Sequence, residues 1–319
     1  MQTKNKTAPV VEGGILAAIA IVFALISVYL PVLGVIVNII WPVPFLLLGV
    51  RHGFKASLLC LVTAGIIISI LLSPVQALTV TVGFGFIGIA LGYALYKEWS
   101  ALRAIAVGTI ASFLSKMAVL LIGFYIMGFN PITAQLDAMS VAIDEVMDIY
   151  RSFGASEATL EQLRISFVDI TSLLKYVMPA GFFIAAIIDT FINYLLAKKI
   201  LLRLGTYVPG FPPFNSWYIP RWVMWVYVAS LWLVSFYHTT PEHPLYYISV
   251  NCQIITMLAL LLQGLATTSY YFQQKGWPKF WKNILFFLVF TNNFVLQIVV
   301  SIGAFDGIFN FRKLEKHDR

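Results

Sequence analysis

The sequence predicts an all-α polytopic membrane protein. Of its 319 residues 60% are hydrophobic and only 11% are charged, the apolar residues fall into long runs, and Lys and Arg gather in short clusters between those runs. Soluble domains carry roughly a quarter charged residues, so a water-soluble globular fold is excluded. The net charge of +7 invites a nucleic-acid reading. Basic clusters placed between apolar runs are instead a topology signal, so the expected partner is the lipid bilayer and no nucleic acid is expected. Cys60 and Cys252 both lie in apolar stretches, which leaves neither a disulfide framework nor a CxxC metal site.

About 20 apolar residues cross about 30 Å of hydrocarbon. On that ruler spans are expected at 13–30, 32–50, 54–73, 77–96, 101–127, 168–197, 222–238 and 245–271. The first is long enough to span and is followed by more of the same, so no cleavable signal is expected. With Lys4 and Lys6 in the cytoplasm of a bacterial cell, the alternation brings Arg51, Lys55, Lys97, Arg103, Lys198, Lys199, Arg203, Arg221, Lys275, Lys279 and Lys282 to the same side. The linker 128–166 is then external and carries Asp137, Asp144, Glu145, Asp148, Glu157 and Glu161 against Arg151 and Arg164. That asymmetry is what the positive-inside rule demands.

A further apolar run at 283–305 has two readings. A ninth span would export the basic tail of Arg312, Lys313, Lys316 and Arg319, whereas Thr291, Asn292 and Asn293 interrupt the run halfway, where a re-entrant hairpin could turn. Between the sixth and seventh spans lies VPGFPPFNSWYIPRW, in which Pro209, Pro212, Pro213 and Pro220 forbid a continuous helix. The expected organisation is therefore a six-helix bundle over 1–203, a Pro-rich cytoplasmic elbow over 204–221, and C-terminal helices over 222–319. No internal repeat of the inverted-transporter kind is visible.

Span one places Gly13 and Ala17, Gly14 and Ala18, and Ala20 and Ala24 four apart, a flat stripe suited to close helix approach either within the chain or to a partner. Gly85, Gly88 and Gly92 give span four the same character, read as internal packing. Charges inside hydrocarbon cost about 2.5–3.5 kcal/mol on insertion scales and so face a cavity or a partner. Lys116 in span five and Asp189 in span six are such groups. The helix rise puts them about 20 Å in from Arg103 and about 13 Å in from Lys198, within reach of each other as a buried pair or as part of a substrate, ion or proton path. Asn193 extends the Asp189 face by one turn. Near the external end of span two, Pro31, Asn38, Trp41, Pro42 and Pro44 mark a broken helix or short lid, or an interfacial aromatic belt.

The external linker reads as two amphipathic stretches, 132–151 and 156–167, broken at Gly154. Their acids are read as a solvated face, and His238, Glu242 and His243 as a loose cluster rather than a metal site. No phosphate-binding loop, dinucleotide fingerprint, HExxH or GxSxG is present. Neither catalysis nor a cofactor is expected, and any energy must come from a partner or a gradient.

Span one followed by GVRHGFKASLLCLVTAGIIISILLSP resembles the start of the substrate-binding S components of energy-coupling-factor vitamin transporters. The pair LLRLGTYVPGFPPFNSWYIPRW and SIGAFDGIFNFRKLEK resembles the YybS-like bacterial membrane proteins along essentially the whole chain. The resemblance implies a six-helix S-component-like bundle with two or three additional C-terminal transmembrane helices. It also implies a first helix (Gly14, Ala17, Ala20, Ala24) docking a membrane coupling subunit that works with ATPases. The function expected is a membrane-embedded subunit binding a small molecule, a vitamin or other metabolite, for uptake, with Asn38, Trp41, Lys116, Asp189 and Asn193 lining its site. The alternatives are a scaffold or regulatory protein without transport activity, and an enzyme or carrier using Asp189 as a proton site.

Overall fold

The computed structural model describes residues 7–128 and 130–314. Lys4 and Lys6, and Lys316 and Arg319 of the basic tail, lie outside the described residues. The described residues form thirteen α-helices and no strand. Seven helical segments are long and apolar enough to cross a membrane, or eight if one sharply bent pair counts as a span. The count is lower than the eight or nine expected because the segment read as span 222–238 is a helix of only 16 residues. Its rise is about 24 Å, short of the roughly 30 Å of hydrocarbon. Pro220 and Pro241 confine it from both sides.

The chain divides into two compact units, one of residues 1–171 and 182–210, the other of 172–181 and 211–319. In the first, α1 (Ala8–Tyr29) leads through Leu30 into α2 (Pro31–Ile40), and a turn at Trp41 and Pro42 separates α2 from α3 (Val43–His52). Both turn residues keep right-handed helical dihedrals, and residues 32–52 together are long enough to form one span. The Trp41 indole is buried and donates to Ala20 O at 2.9 Å, and Ala17, Ala20 and Ala24 join Trp41, Phe45 and Leu48 in one core. Small side chains on α1 leave room for the indole to reach its backbone.

After α4 (Phe54–Leu71), one span is assembled from α5 (Pro74–Val80), a π-helical turn at Thr81–Gly85 and α6 (Phe86–Tyr96). A Cβ at Gly92 would lie 2.9 Å from Leu46 O and 3.0 Å from Gly49 Cα. The α3 and α6 backbones are therefore in contact. Helix α7 (Ala101–Tyr125) completes the fifth long segment.

The linker read as external begins with α8 (Pro131–Ser152), capped by Asn130 Oδ1, which accepts from Ile132 N at 2.9 Å. Gly154, at φ +84°, breaks the chain where expected. The second surface stretch is not a separate element. It opens a single 47-residue helix, α9 (Glu157–Arg203), which Ser156 caps by accepting from Thr159 N. No Gly or Pro interrupts residues 157–178, so nothing stops propagation into the span. The helix is about 70 Å long, more than twice the thickness of the hydrocarbon.

Pro179 lies inside α9 and leaves Lys175 O without its helical donor. The second unit repairs this from α11 (Pro244–Gln274), where Tyr247 Oη donates to Lys175 O at 3.3 Å. Asn251 Nδ2 donates to Tyr176 O at 2.7 Å while its Oδ1 accepts from Ala180 N at 2.8 Å. One side-chain amide thus stands in for the Tyr176–Ala180 helix bond.

In the same unit α10 (Trp222–Tyr237) packs on α11, followed by α12 (Lys279–Thr291) and α13 (Asn293–Phe309), which meet at a bend of 112°. Asn292 caps α13, its Oδ1 accepting from Phe294 N and Val295 N. Glycines seat α13 on α11, because a side chain at Gly264 would strike Val299 O and one at Gly303 would strike Leu260 O. Both ends of the bent pair return to the 3-10 turn Phe214–Ser216. Lys282 and Phe286 of α12 lie 5.7 Å and 6.3 Å from the Phe214 ring centroid. Arg312, just past α13, donates to Asn215 O and Trp217 O, each at 2.7 Å. The two helices thus meet the same turn from either side of a 112° bend, the geometry expected of the hairpin reading.

Two expectations follow. Single cysteines introduced as Gly276→Cys and Leu314→Cys will react with a membrane-impermeant maleimide from the same face, and labelling from opposite faces rejects the hairpin. Asn251→Leu will lower the melting temperature in detergent by the equivalent of about 1–3 kcal/mol, the cost of leaving buried backbone groups unpaired; an unchanged transition removes the amide from that role.

Candidate functional site

Charged side chains meet in the interior of the first unit at a seam between α7 and α9. Lys116 extends toward the start of its own helix, as the tilt of a helical Cα–Cβ bond favours. Its Nζ reaches Ser112 Oγ at 3.0 Å and Asp189 Oδ2 at 2.5 Å. The two side chains are 17% and 19% exposed, so the pair is desolvated yet reachable. Asn193, one turn beyond Asp189, is fully buried and donates through Nδ2 to Asp189 O and Ile39 O, both at 2.8 Å. Its carbonyl orientation is thereby set, and the last turn of α2 contributes to the seam through its backbone.

The helices meet closely because Gly108 faces Thr190, whose Cγ2 a Cβ there would approach to 2.6 Å. On these two helices Thr109 Oγ1, Ser115 Oγ, Thr190 Oγ1 and Asn193 Oδ1 are buried without a hydrogen-bond partner. Native interiors leave few such groups, and each asks for a water or a ligand. These hydroxyls escaped the sequence reading, although Thr109, Ser112 and Ser115 recur every third residue in an otherwise apolar span and so fall near one face.

Of the residues expected to line a site, Lys116, Asp189 and Asn193 come together. Asn38 instead accepts from Ser27 Oγ at 2.8 Å, tying α2 to α1, and Trp41 is held in the core by Ala20 O. Ala17, Ala20 and Ala24 are covered by this chain's own residues, while Gly14 is exposed. Glu12 joins the start of α1 to the end of α3 through Arg51 and, at 2.7 Å, His52.

Four of the linker acids, Asp144, Asp148, Glu157 and Glu161, line a hollow of about 310 Å³ with Arg151 and Arg164. Arg151 bridges Asp148 at 2.8 Å and Glu157 at 3.5 Å, as in a solvated ion-pair face. His243 accepts from Leu245 N and stacks on Tyr237. No group of three metal-ligating side chains occurs among the described residues.

A second buried ion pair lies in the C-terminal unit. Asp306 Oδ2 receives Arg312 Nε at 3.0 Å, Arg312 Nη2 at 2.8 Å and Gln263 Nε2 at 3.0 Å, with the acid and the base 1% and 0% exposed. Gln263 Oε1 accepts from Ile219 N at 3.2 Å. Arg312 is thus a structural clamp rather than part of a free basic tail. An acid in the apolar run 293–309 was the available signal.

A family model matches residues 18–307, which reaches into both units and takes in the Lys116–Asp189 pair. The chain belongs to the family described as predicted membrane protein (DUF2232). It is similar to "Uncharacterized protein YybS" of Bacillus subtilis (strain 168), with 25% identity over 312 residues, covering 98% of this chain and 100% of the relative. No solved structure matches it. The DUF2232 chain is therefore a YybS-like, multi-pass membrane protein, as the elbow and C-terminal motifs suggested.

A double-mutant cycle on the pair checks the seam. Lys116→Met and Asp189→Asn will each destabilise the protein in detergent, and the double variant will recover part of the loss. The expected coupling is about 0.5–3 kcal/mol, the range for directly interacting residues; additive losses reject a working ion pair.

Proposed function

We propose that the chain is a non-catalytic, membrane-embedded subunit that binds a small molecule, a vitamin or other metabolite, for uptake, energised by separate partner chains in the manner of S components. The observation that carries this reading is the α7–α9 seam, where a partly exposed Lys116–Asp189 pair joins two helices that carry four buried polar atoms without hydrogen-bond partners. A structural ion pair alone does not account for four unpartnered polar atoms on the helices it joins. A binding site does, since pockets fix their ligands with a few convergent polar groups in an apolar wall.

The charge pattern supports a bacterial cell-membrane location with a cytoplasmic N-terminus and an external α8. With Ala17, Ala20 and Ala24 covered, the face left for a coupling subunit is the one around Gly14. There α1 and α4 enclose a hollow of about 390 Å³ lined by Val10, Gly14, Leu59 and Thr63 among others.

Affinity purification from the native membrane followed by native mass spectrometry tests the reading. Recovery of a coupling subunit with ATPases, or of a retained metabolite lost in Asp189→Asn, is the expected result. Recovery of cell-envelope or signalling proteins with no ligand selects the scaffold alternative.

A further inference from the structure

We infer that the molecule taken by the α7–α9 seam is a zwitterion carrying both an ammonium and a carboxylate, of the amino-acid class; the inference rests on the binding reading above. Its first ground is charge balance. Lys116 and Asp189 neutralise each other at 2.5 Å, so the pair adds no net charge to the seam. A ligand with one charge would leave one unbalanced charge in an apolar interior, where charge removed from water is costly unless paired. A ligand with one charge of each sign splits the pair and remakes two, and the seam stays neutral.

The second ground is the distribution of donors and acceptors. Acceptors lie on α9, where Asp189 and Asn193 are one turn apart. The Asn193 amide cannot be exploited as a donor, because Nδ2 already serves Asp189 O and Ile39 O, which leaves Oδ1 free. On α7 the Lys116 ammonium is the charged donor, held by Ser112 and Asp189, while the unpartnered hydroxyls of Ser115 on α7 and Thr190 on α9 can each donate or accept. A ligand ammonium therefore belongs against α9 and its carboxylate against α7. A two-sided arrangement of this kind suits neither a simple anion nor a simple amine.

The test uses the purified full-length protein in detergent and follows its melting temperature. The probes are an unbranched amino-acid series starting at glycine and lengthened one methylene at a time, with α-amino acids beside it. Matching carboxylates and alkylamines at equal concentration supply one charge each. The expected result is a concentration-dependent upward shift from amino acids and none from their singly charged counterparts, a comparison made within the wild-type protein. Apparent affinity should fall at least about tenfold in both Lys116→Met and Asp189→Asn, the loss expected for one charged hydrogen-bond partner. Lys116→Arg, which keeps the charge, should retain most of it.

A shift from carboxylates alone or from amines alone, or amino acids without effect beside a retained metabolite of single charge, overturns the zwitterion and leaves the binding reading standing. No shift with any probe, and no metabolite retained in native mass spectrometry, overturns both.

Discussion

In hydrocarbon a backbone N–H or C=O has no solvent to turn to, so every break in an apolar helix must be closed from within the protein. The rest of this structure follows from that constraint. Pro179 opens α9, and the Asn251 amide and Tyr247 hydroxyl close it. The turn at Trp41 and Pro42 interrupts the second span, and Asn193 reaches across from α9 to take the Ile39 carbonyl. The elbow after Gly210 exposes the carbonyls of Asn215 and Trp217, and a buried Arg312 occupies both. In each case a polar side chain on one helix completes the backbone of another, so the apolar segments are held by a small number of specific bonds.

Close approach is the condition for such bonds. A side-chain amide reaches a neighbouring backbone only if the helix axes are near, and glycine is what brings them near. Gly49 against Gly92, Gly108 against Thr190, and Gly264 and Gly303 across the α11–α13 contact serve this purpose. Dispersion among closely packed backbones replaces the hydrophobic drive that lipid surroundings remove. The polar seam around Lys116 is one product of this closeness, since α7 and α9 meet at Gly108 and place a lysine and an aspartate from distant parts of the chain at hydrogen-bond distance.

Much of this was readable residue by residue. Lys116, Asp189 and Asn193 announced themselves as polar groups inside apolar runs, because their desolvation cost is a property of the side chain and of its place in a span. The break at Gly154 and the proline elbow were legible because Gly and Pro restrict or release the backbone locally, whereas Thr291, Asn292 and Asn293 marked an interruption that fitted a hairpin and a ninth span alike. What escaped was of another kind. Ser, Thr and Gln are unremarkable in one dimension, and nothing in the sequence shows that Thr190 and Ser115 lack partners or that Gln263 serves Asp306 and Ile219 at once. Arg312 looked like a tail residue because it follows the last apolar run; only the returning path of α12 and α13 carries it into the interior.

Composition and apolar run length by themselves determined that this is a helical membrane protein with basic clusters between its spans, because transfer into hydrocarbon sums over residues whatever their order in space. The tertiary structure alone decided which small residues are covered, which helices are long enough to cross, and that the final pair folds back. Those outcomes depend on distances between segments far apart in the chain, and a one-dimensional pattern of hydropathy does not contain them.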